Sequence, residues 1–210
     1  MKKLTIAIFV AVFFLGSPAY VHAVASDVSA NLTADDDYQF YVSTNALNTG
    51  GTLIGDSFTP DGGTYDWSKA ENQNFNLTPG VTNYLHIKAI DTANVIASFL
   101  GDFTLNNTNF KFSNGTQSLL TNTVNWNVFT NTWGGTPGAL TSQGTNGDGP
   151  WGAISGVNSG AQWIWTNGGL ETDSPRYFST AITVTPEPST MILFGLGFLI
   201  LAFVVLKKKG

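Results

Sequence analysis

Tyr38-Gln39-Phe40-Tyr41-Val42-Ser43 and Tyr84-Leu85-His86-Ile87-Lys88-Ala89-Ile90-Asp91 decide the fold class. Both runs alternate. Tyr38, Phe40 and Val42 fall on one face of the first, and Leu85, Ile87 and Ala89 on one face of the second, opposite His86 and Lys88. A period of two over this length is the mark of a strand with one buried face. Gln162-Trp163-Ile164-Trp165 and Tyr177 to Val184 read as closing strands, and Val95 to Leu105 holds one or two more. Asp91-Thr92-Ala93-Asn94 suits a hairpin turn, and Thr78-Pro79-Gly80 and Pro60-Asp61-Gly62-Gly63 are further turns.

Outward from these runs the same character holds. Thr, Asn and Gly dominate the polar positions between Val24 and Thr185, and no apolar period of 3.6 appears. From Asn106 to Gly160 the chain loosens, punctuated by Phe110, Phe112, Trp126, Phe129, Trp133 and Trp151. That spacing predicts long loops pinned by aromatics. Many short strands separated by turns predict an all-β fold, an antiparallel β-sandwich of the jelly-roll type.

Composition narrows the function. The chain has 210 residues, a net charge of -5, 11% charged residues and no Cys. That length suits one domain plus processing segments. Lys2, Lys3 and Lys207 to Lys209 sit at the ends, so only Lys69, Lys88, Lys111 and Arg176 serve the segment between. A domain this acidic has no basic patch for nucleic acid. Without Cys, disulfides cannot stabilise it.

The two ends read as addresses. Lys2 and Lys3 precede an apolar run from Leu4 to Leu15, and Val21-His22-Ala23 and Ala23-Val24-Ala25 offer small residues for cleavage. This is a secretory signal peptide, residues 1–25, cut by signal peptidase after Ala23 or Ala25. Ser189 to Leu206 carries no charge; at 1.5 Å per residue it covers about 27 Å, enough for a membrane-spanning helix. Lys207, Lys208 and Lys209 follow, and the positive-inside rule places them in the cytoplasm. Before the span, the prolines of Pro186-Glu187-Pro188 force an extended segment that a processing enzyme can grip.

This tail, from Pro186 to Gly210, resembles the PEP-CTERM sorting signal of Gram-negative bacteria. The resemblance implies handling by an exosortase, a membrane-embedded cysteine transpeptidase-like enzyme, in an organism that makes extracellular polysaccharide. Pro186, Glu187, Pro188 and the three lysines carry it. The expected route is export across the inner membrane, transient anchoring by the tail, then the cell surface or extracellular matrix. The ectodomain is then residues 26–185.

The body has a second, looser resemblance. Leu32 to Val42, Gly51 to Gly55, Trp67, Leu77 to Leu85, Gln162 to Trp165 and Tyr177-Phe178 come in an order similar to galactose-binding-like jelly rolls. These occur as accessory modules of glycoside hydrolases and in bacterial surface proteins. The chain departs at Ser43-Thr44-Asn45, where such modules often have Asn-Gly, which weakens transfer of a sugar site. The resemblance implies exopolysaccharide as a partner. Aromatic faces stack on sugar rings, and Trp133 and Trp151, in Gly-rich loops, are the expected exposed platforms. Trp163 and Trp165 share a strand face and are expected in the core.

Asp35, Asp36 and Asp37 supply oxygens of the kind Ca²⁺ takes, and the jelly-roll resemblance implies a structural Ca²⁺, but a solvated acidic turn is the plainer reading of the run. No other cofactor is expected. His86 is the single His outside the signal peptide, and its place opposite the apolar face predicts a surface residue. One His and no Cys leave no zinc site and little for nucleophilic catalysis, so no enzyme is expected. The two functional expectations are a glycan-binding module and a structural matrix or adhesion protein with no defined small ligand.

Overall fold

The computed structural model describes residues 27–57, 66–93, 95–166, 174–185 and 195–197. The signal peptide with Ala23 and Ala25, the Pro186-Glu187-Pro188 segment, the lysine cluster and most of the expected span lie outside them. Residues 195–197 are helical, and no helix among the described residues is long and apolar enough to cross a membrane.

Twelve strands are described: β1 (Asp27–Asp35), β2 (Asp37–Ser43), β3 (Thr52–Asp56), β4 (Glu71–Asn76), β5 (Asn83–Ile90), β6 (Ser98–Leu105), β7 (Phe110–Phe112), β8 (Ser118–Leu120), β9 (Asn127–Phe129), β10 (Thr141–Thr145), β11 (Gln162–Trp165) and β12 (Arg176–Val184). They form two antiparallel sheets. The first runs β10-β11-β6-β1-β4, with β8 also on β6; the second runs β3-β2-β5-β12-β7, with β9 also on β12. Both sheets share one device: a long inner strand pairs along its length on one side and with two short strands on the other. β6 pairs with β1 from Val28↔Leu105 to Asp35↔Ser98, and its other edge takes β11 at Phe99 and β8 at Asp102 to Thr104.

The alternating apolar residues of both sheets point inward and form the sandwich core. Val28, Ala30, Leu32 and Ala34 of β1 meet Phe99, Phe103 and Leu105 of β6 and, across the layer, Tyr38, Phe40, Leu85, Ile87, Phe178 and Ile182. Aromatic rings dominate. Phe99 packs on Phe178 at 5.2 Å and on Trp126 at 5.4 Å, and Phe40 packs edge-on against Phe103 at 6.1 Å. Such edge and tilted pairs add to plain burial. Phe110, Phe112, Trp126 and Phe129 are buried, so aromatics do pin the Asn106–Gly160 stretch, which also carries four short strands.

A second, smaller core lies on the outer face of the first sheet. Leu100 and Trp163 project there, and the 146–161 loop covers them with Trp151, Ile154, Val157 and Ala161. The Ser98–Gly101 end of β6 and most of β11 are therefore buried on both faces, which simple alternation does not forecast. Trp163 and Trp165 are both fully buried, yet they lie in different clusters, Trp163 under the loop and Trp165 against Phe178 at 5.6 Å. The Asp91–Asn94 segment is also not a hairpin turn. It links β5 of the second sheet to β6 of the first, so it crosses between layers.

Candidate functional site

The three consecutive aspartates stand where β1 of one sheet hands over to β2 of the other. The fold puts each to a separate use. Asp35 is buried, and the indole N–H of Trp151 donates to its Oδ2 at 2.7 Å. Desolvation pushes its carboxyl up to about 7; the Trp151 hydrogen bond opposes this and the neighbouring Asp36 adds to it. Asp36 Oδ2 accepts from the Thr92 amide (2.9 Å), the Thr92 hydroxyl (2.7 Å) and the Ala93 amide (2.7 Å). Burial opposes its charged form, but hydrogen bonds from Thr92, Asp35 and Ala93 outweigh that and hold the carboxyl below its usual range. Asp37 is 0% exposed, and neither carboxylate oxygen has a hydrogen-bond partner. Burial first, then the charges of Asp36 and Asp56, push it to about 7. Among the described residues no group of three or more His, Cys, Asp or Glu side chains is placed to hold a metal ion. The geometry therefore does not gather Asp35, Asp36 and Asp37 into a cation cage.

Beside the triplet opens a polar cleft of about 380 Å³, lined by Thr33, Asp36, Tyr38, Ser57, Asp66, Lys69 and Glu71, with Ala34 and Ala70. The Tyr38 hydroxyl donates to Glu71 Oε2 at 2.6 Å, and Lys69 pairs with Asp66 at 2.7 Å. Burial and the Glu71 carboxylate raise the Tyr38 phenol above its ordinary value, so it stays a donor at neutral pH. The Lys69 ammonium and the Ser68 hydroxyl hold Asp66 below the usual carboxylate range.

The sequence-predicted platforms separate. Trp151 is only 6% exposed; it stacks on Trp163 at 4.5 Å and 24° and holds Asp35. It is not an exposed platform, because its loop folds back over the first sheet. Trp133 keeps a half-buried ring on the outer face of the second sheet. Its indole N–H donates to the Phe178 carbonyl at 3.0 Å, and the ring stands edge-on to Tyr177 (4.9 Å), His86 (5.2 Å) and Tyr41 (5.8 Å). Tyr41, Tyr84 and Tyr177 are also half-buried, so this face carries an aromatic patch.

His86 corrects another expectation. It does project to the outer face, but it is 0% exposed, covered by Trp133 and stacked on Tyr84 at 6.0 Å. Its Nε2 lies 3.0 Å from Ser43 Oγ and 3.1 Å from the Asn45 carbonyl. That carbonyl only accepts, so Nε2 carries the proton. Ser43 Oγ donates to the same carbonyl at 2.6 Å, and His86 Nδ1 is buried with no partner. Burial lowers the imidazole to about 4, with the Asn45 hydrogen bond opposing, so His86 is neutral at pH 7. Neither contact is legible in sequence: Tyr38–Glu71 crosses from β2 of one sheet to β4 of the other, and Ser43–His86 joins β2 and β5, which only the fold sets side by side.

β12 ends at Val184, and the Thr185 amide is tied to the Asn109 carbonyl at 2.7 Å. The sandwich thus closes where the likeness to known proteins begins. Residues 184–209 match the family model of the PEP-CTERM protein-sorting motif. No curated protein and no solved structure matches the chain. Its C-terminal end thus carries a PEP-CTERM sorting motif, which implies export and processing by an exosortase, and the β-sandwich is the body that this motif sorts.

Proposed function

We propose that this chain is an exported, non-enzymatic surface or matrix protein whose β-sandwich, read as a jelly roll, binds exopolysaccharide. Signal peptidase cuts after Ala23 or Ala25. The 189–206 helix then holds the chain in the inner membrane of a Gram-negative cell, with Lys207 to Lys209 in the cytoplasm and Pro186 to Pro188 presented to the exosortase. The sorting motif supports this route. β12 lies between β5 on one side and β7 and β9 on the other, so the tail leaves from a strand held on both edges.

The observation that carries the glycan reading is the Trp133 patch. Half-exposed Trp133, Tyr41, Tyr84 and Tyr177 share one sheet face, and rings of this kind offer the apolar surface that sugar faces stack on. The edge-on contacts hold Trp133 in place, so little conformational freedom is lost on binding. Non-enzymatic action is supported by the cleft and by His86. Of the carboxylates lining the cleft, Asp36 and Asp66 are held below the usual range, the reverse of what a general acid needs, and the two raised carboxyls, Asp35 and Asp37, are buried and do not line it. Ser43 directs its proton away from His86, whose Nε2 is itself protonated.

The test is calorimetry of the full chain in detergent micelles against the host's exopolysaccharide, with Ca²⁺ and then with chelator. Saturable binding in both conditions, weakened about tenfold by Trp133→Ala and unchanged by Trp151→Phe, is the expected result. No binding by the folded protein replaces this reading with that of a structural matrix protein without a defined ligand.

A further inference from the structure

The outer face of the first sheet is half covered by the Trp151 loop. Its other half, over β4, β1 and β6, is an ordered polar array. Register aligns Asn74, Ser29 and Thr104 in one row across the strands, and Asn72, Asn31 and Asp102 in the next. A directed chain of hydrogen bonds links them. Asn74 Nδ2 donates to Asn72 Oδ1 (2.6 Å), Asn72 Nδ2 to Asn31 Oδ1 (2.8 Å), and Asn31 Nδ2 to Asp102 Oδ1 (3.0 Å). Asp102 ends the chain and sets its sense, because an ionised carboxylate only accepts. The Asn158 amide holds its other oxygen at 2.7 Å. Every amide orientation in the ladder is set by that anchor.

Resting on the glycan reading above, we infer that this array is a second polysaccharide-binding face, for a neutral, hydroxyl-rich chain laid across the strands. Asn72, Asn74 and Thr104 are exposed. Asn74 uses one of its two N–H groups within the ladder, and Asn72 Oδ1 one of its two lone pairs. The polar side chains of the first row, Asn74, Ser29 and Thr104, one per strand, repeat at the strand spacing of about 4.8 Å, which suits hydroxyls recurring ring by ring along an extended glycan. The two rows contain no Lys or Arg, and Asp102 sits among them, so an anionic polymer is repelled. They contain no apolar side chain either, so the face offers nothing to a hydrophobic partner. Ladder bonds already restrict the amides, which lowers the ordering cost on binding.

The consequence is bivalency. This face and the Trp133 patch are the outer faces of opposite sheets, so they point away from each other. One domain then bridges two chains, and a glycan binder becomes a matrix cross-linker.

The experiment mixes the full chain, in detergent micelles, with hydroxyethylcellulose as a neutral probe and with alginate as an anionic one. Affinity is read by calorimetry and cross-linking by low-shear viscosity. The variants are Asn72→Ala with Asn74→Ala, the milder Asn74→Ala alone, and Trp133→Ala, each checked by thermal unfolding. Wild type is expected to bind the neutral polymer at two sites and raise its viscosity. The double variant loses one site and the viscosity rise but keeps the other; Trp133→Ala does the same from the opposite face; Asn74→Ala weakens the second site about threefold. One site only, lost with Trp133→Ala and untouched by either Asn variant, overturns this inference and leaves the glycan reading intact. Stronger binding of alginate than of the neutral polymer overturns it as well. No binding of either polymer, nor of the host exopolysaccharide, removes both.

Discussion

Asp37→Asn is the substitution whose outcome the structure sets most sharply. Asp37 is 0% exposed, its two oxygens have no partner, and burial with the nearby charges of Asp36 and Asp56 raises it from 3.8 to about 7. A folded-state pKa above the unfolded one means that the native state holds the proton more tightly. The contribution to stability is fully present below about pH 4 and is lost as pH rises through 7. Above pH 7 the fold carries a buried, unpartnered negative charge. A shift of this size corresponds to about 4 kcal/mol at most, from 1.36 kcal/mol per pH unit, and to roughly 2 kcal/mol once local relaxation around the buried charge is allowed for. Asn keeps the shape and removes the charge. Urea unfolding of wild type and Asp37→Asn at pH 4.5 and 8 is the assay. The variant is expected to be more stable by about 2 kcal/mol at pH 8, with the gap closing or reversing at pH 4.5. Taking the difference between the two proteins cancels His86 and Asp35, which titrate in the same window. A difference that is constant across pH, or a variant less stable at pH 8, refutes the reasoning.

The same geometry sets three further outcomes. Trp151→Phe keeps a ring on Trp163 but leaves Asp35 without its indole donor; it should destabilise by about 1–3 kcal/mol, more at pH 8 than at pH 5, read by urea midpoints. The His86 ring protons should titrate by NMR with a midpoint near 4, and stability from its neutral form should be present above pH 6.5 and lost as pH falls toward 4; a midpoint above 6 would place the ring in solvent. Gly101→Ala puts a Cβ 3.1 Å from the Asn31 carbonyl, Leu32 and Phe103 in the middle of β6, and should lower stability by about 1–3 kcal/mol in thermal unfolding.

Much of the fold was legible because strand alternation is local. Tyr38, Phe40 and Val42, and Leu85, Ile87 and Ala89, face inward as their spacing requires, and β11 and β12 fall where Trp-Ile-Trp and the Tyr177 run place them. A strand with few inward apolar residues was not. β4, Glu71–Asn76, has Phe75 as its single hydrophobic residue and becomes a strand by pairing with β1. The candidate site was less legible still. Trp133 and Trp151 occupy similar Gly-rich surroundings in sequence, yet one remains half exposed and the other fills a core.

By itself, the sequence determined the all-β character, the absence of disulfides and the sorting tail, because each depends on residue type and near-neighbour spacing. Tertiary structure alone decided what covers the outer faces of the two sheets. It buried His86 beneath Trp133, drew Trp151 onto Asp35, gave the three aspartates three different environments, and set Asn72 and Asn74 of β4 beside Asn31 of β1. The physical reason is the same each time. A strand's period says which side chains leave each face, but only long-range closure says which loop or neighbouring strand meets them there.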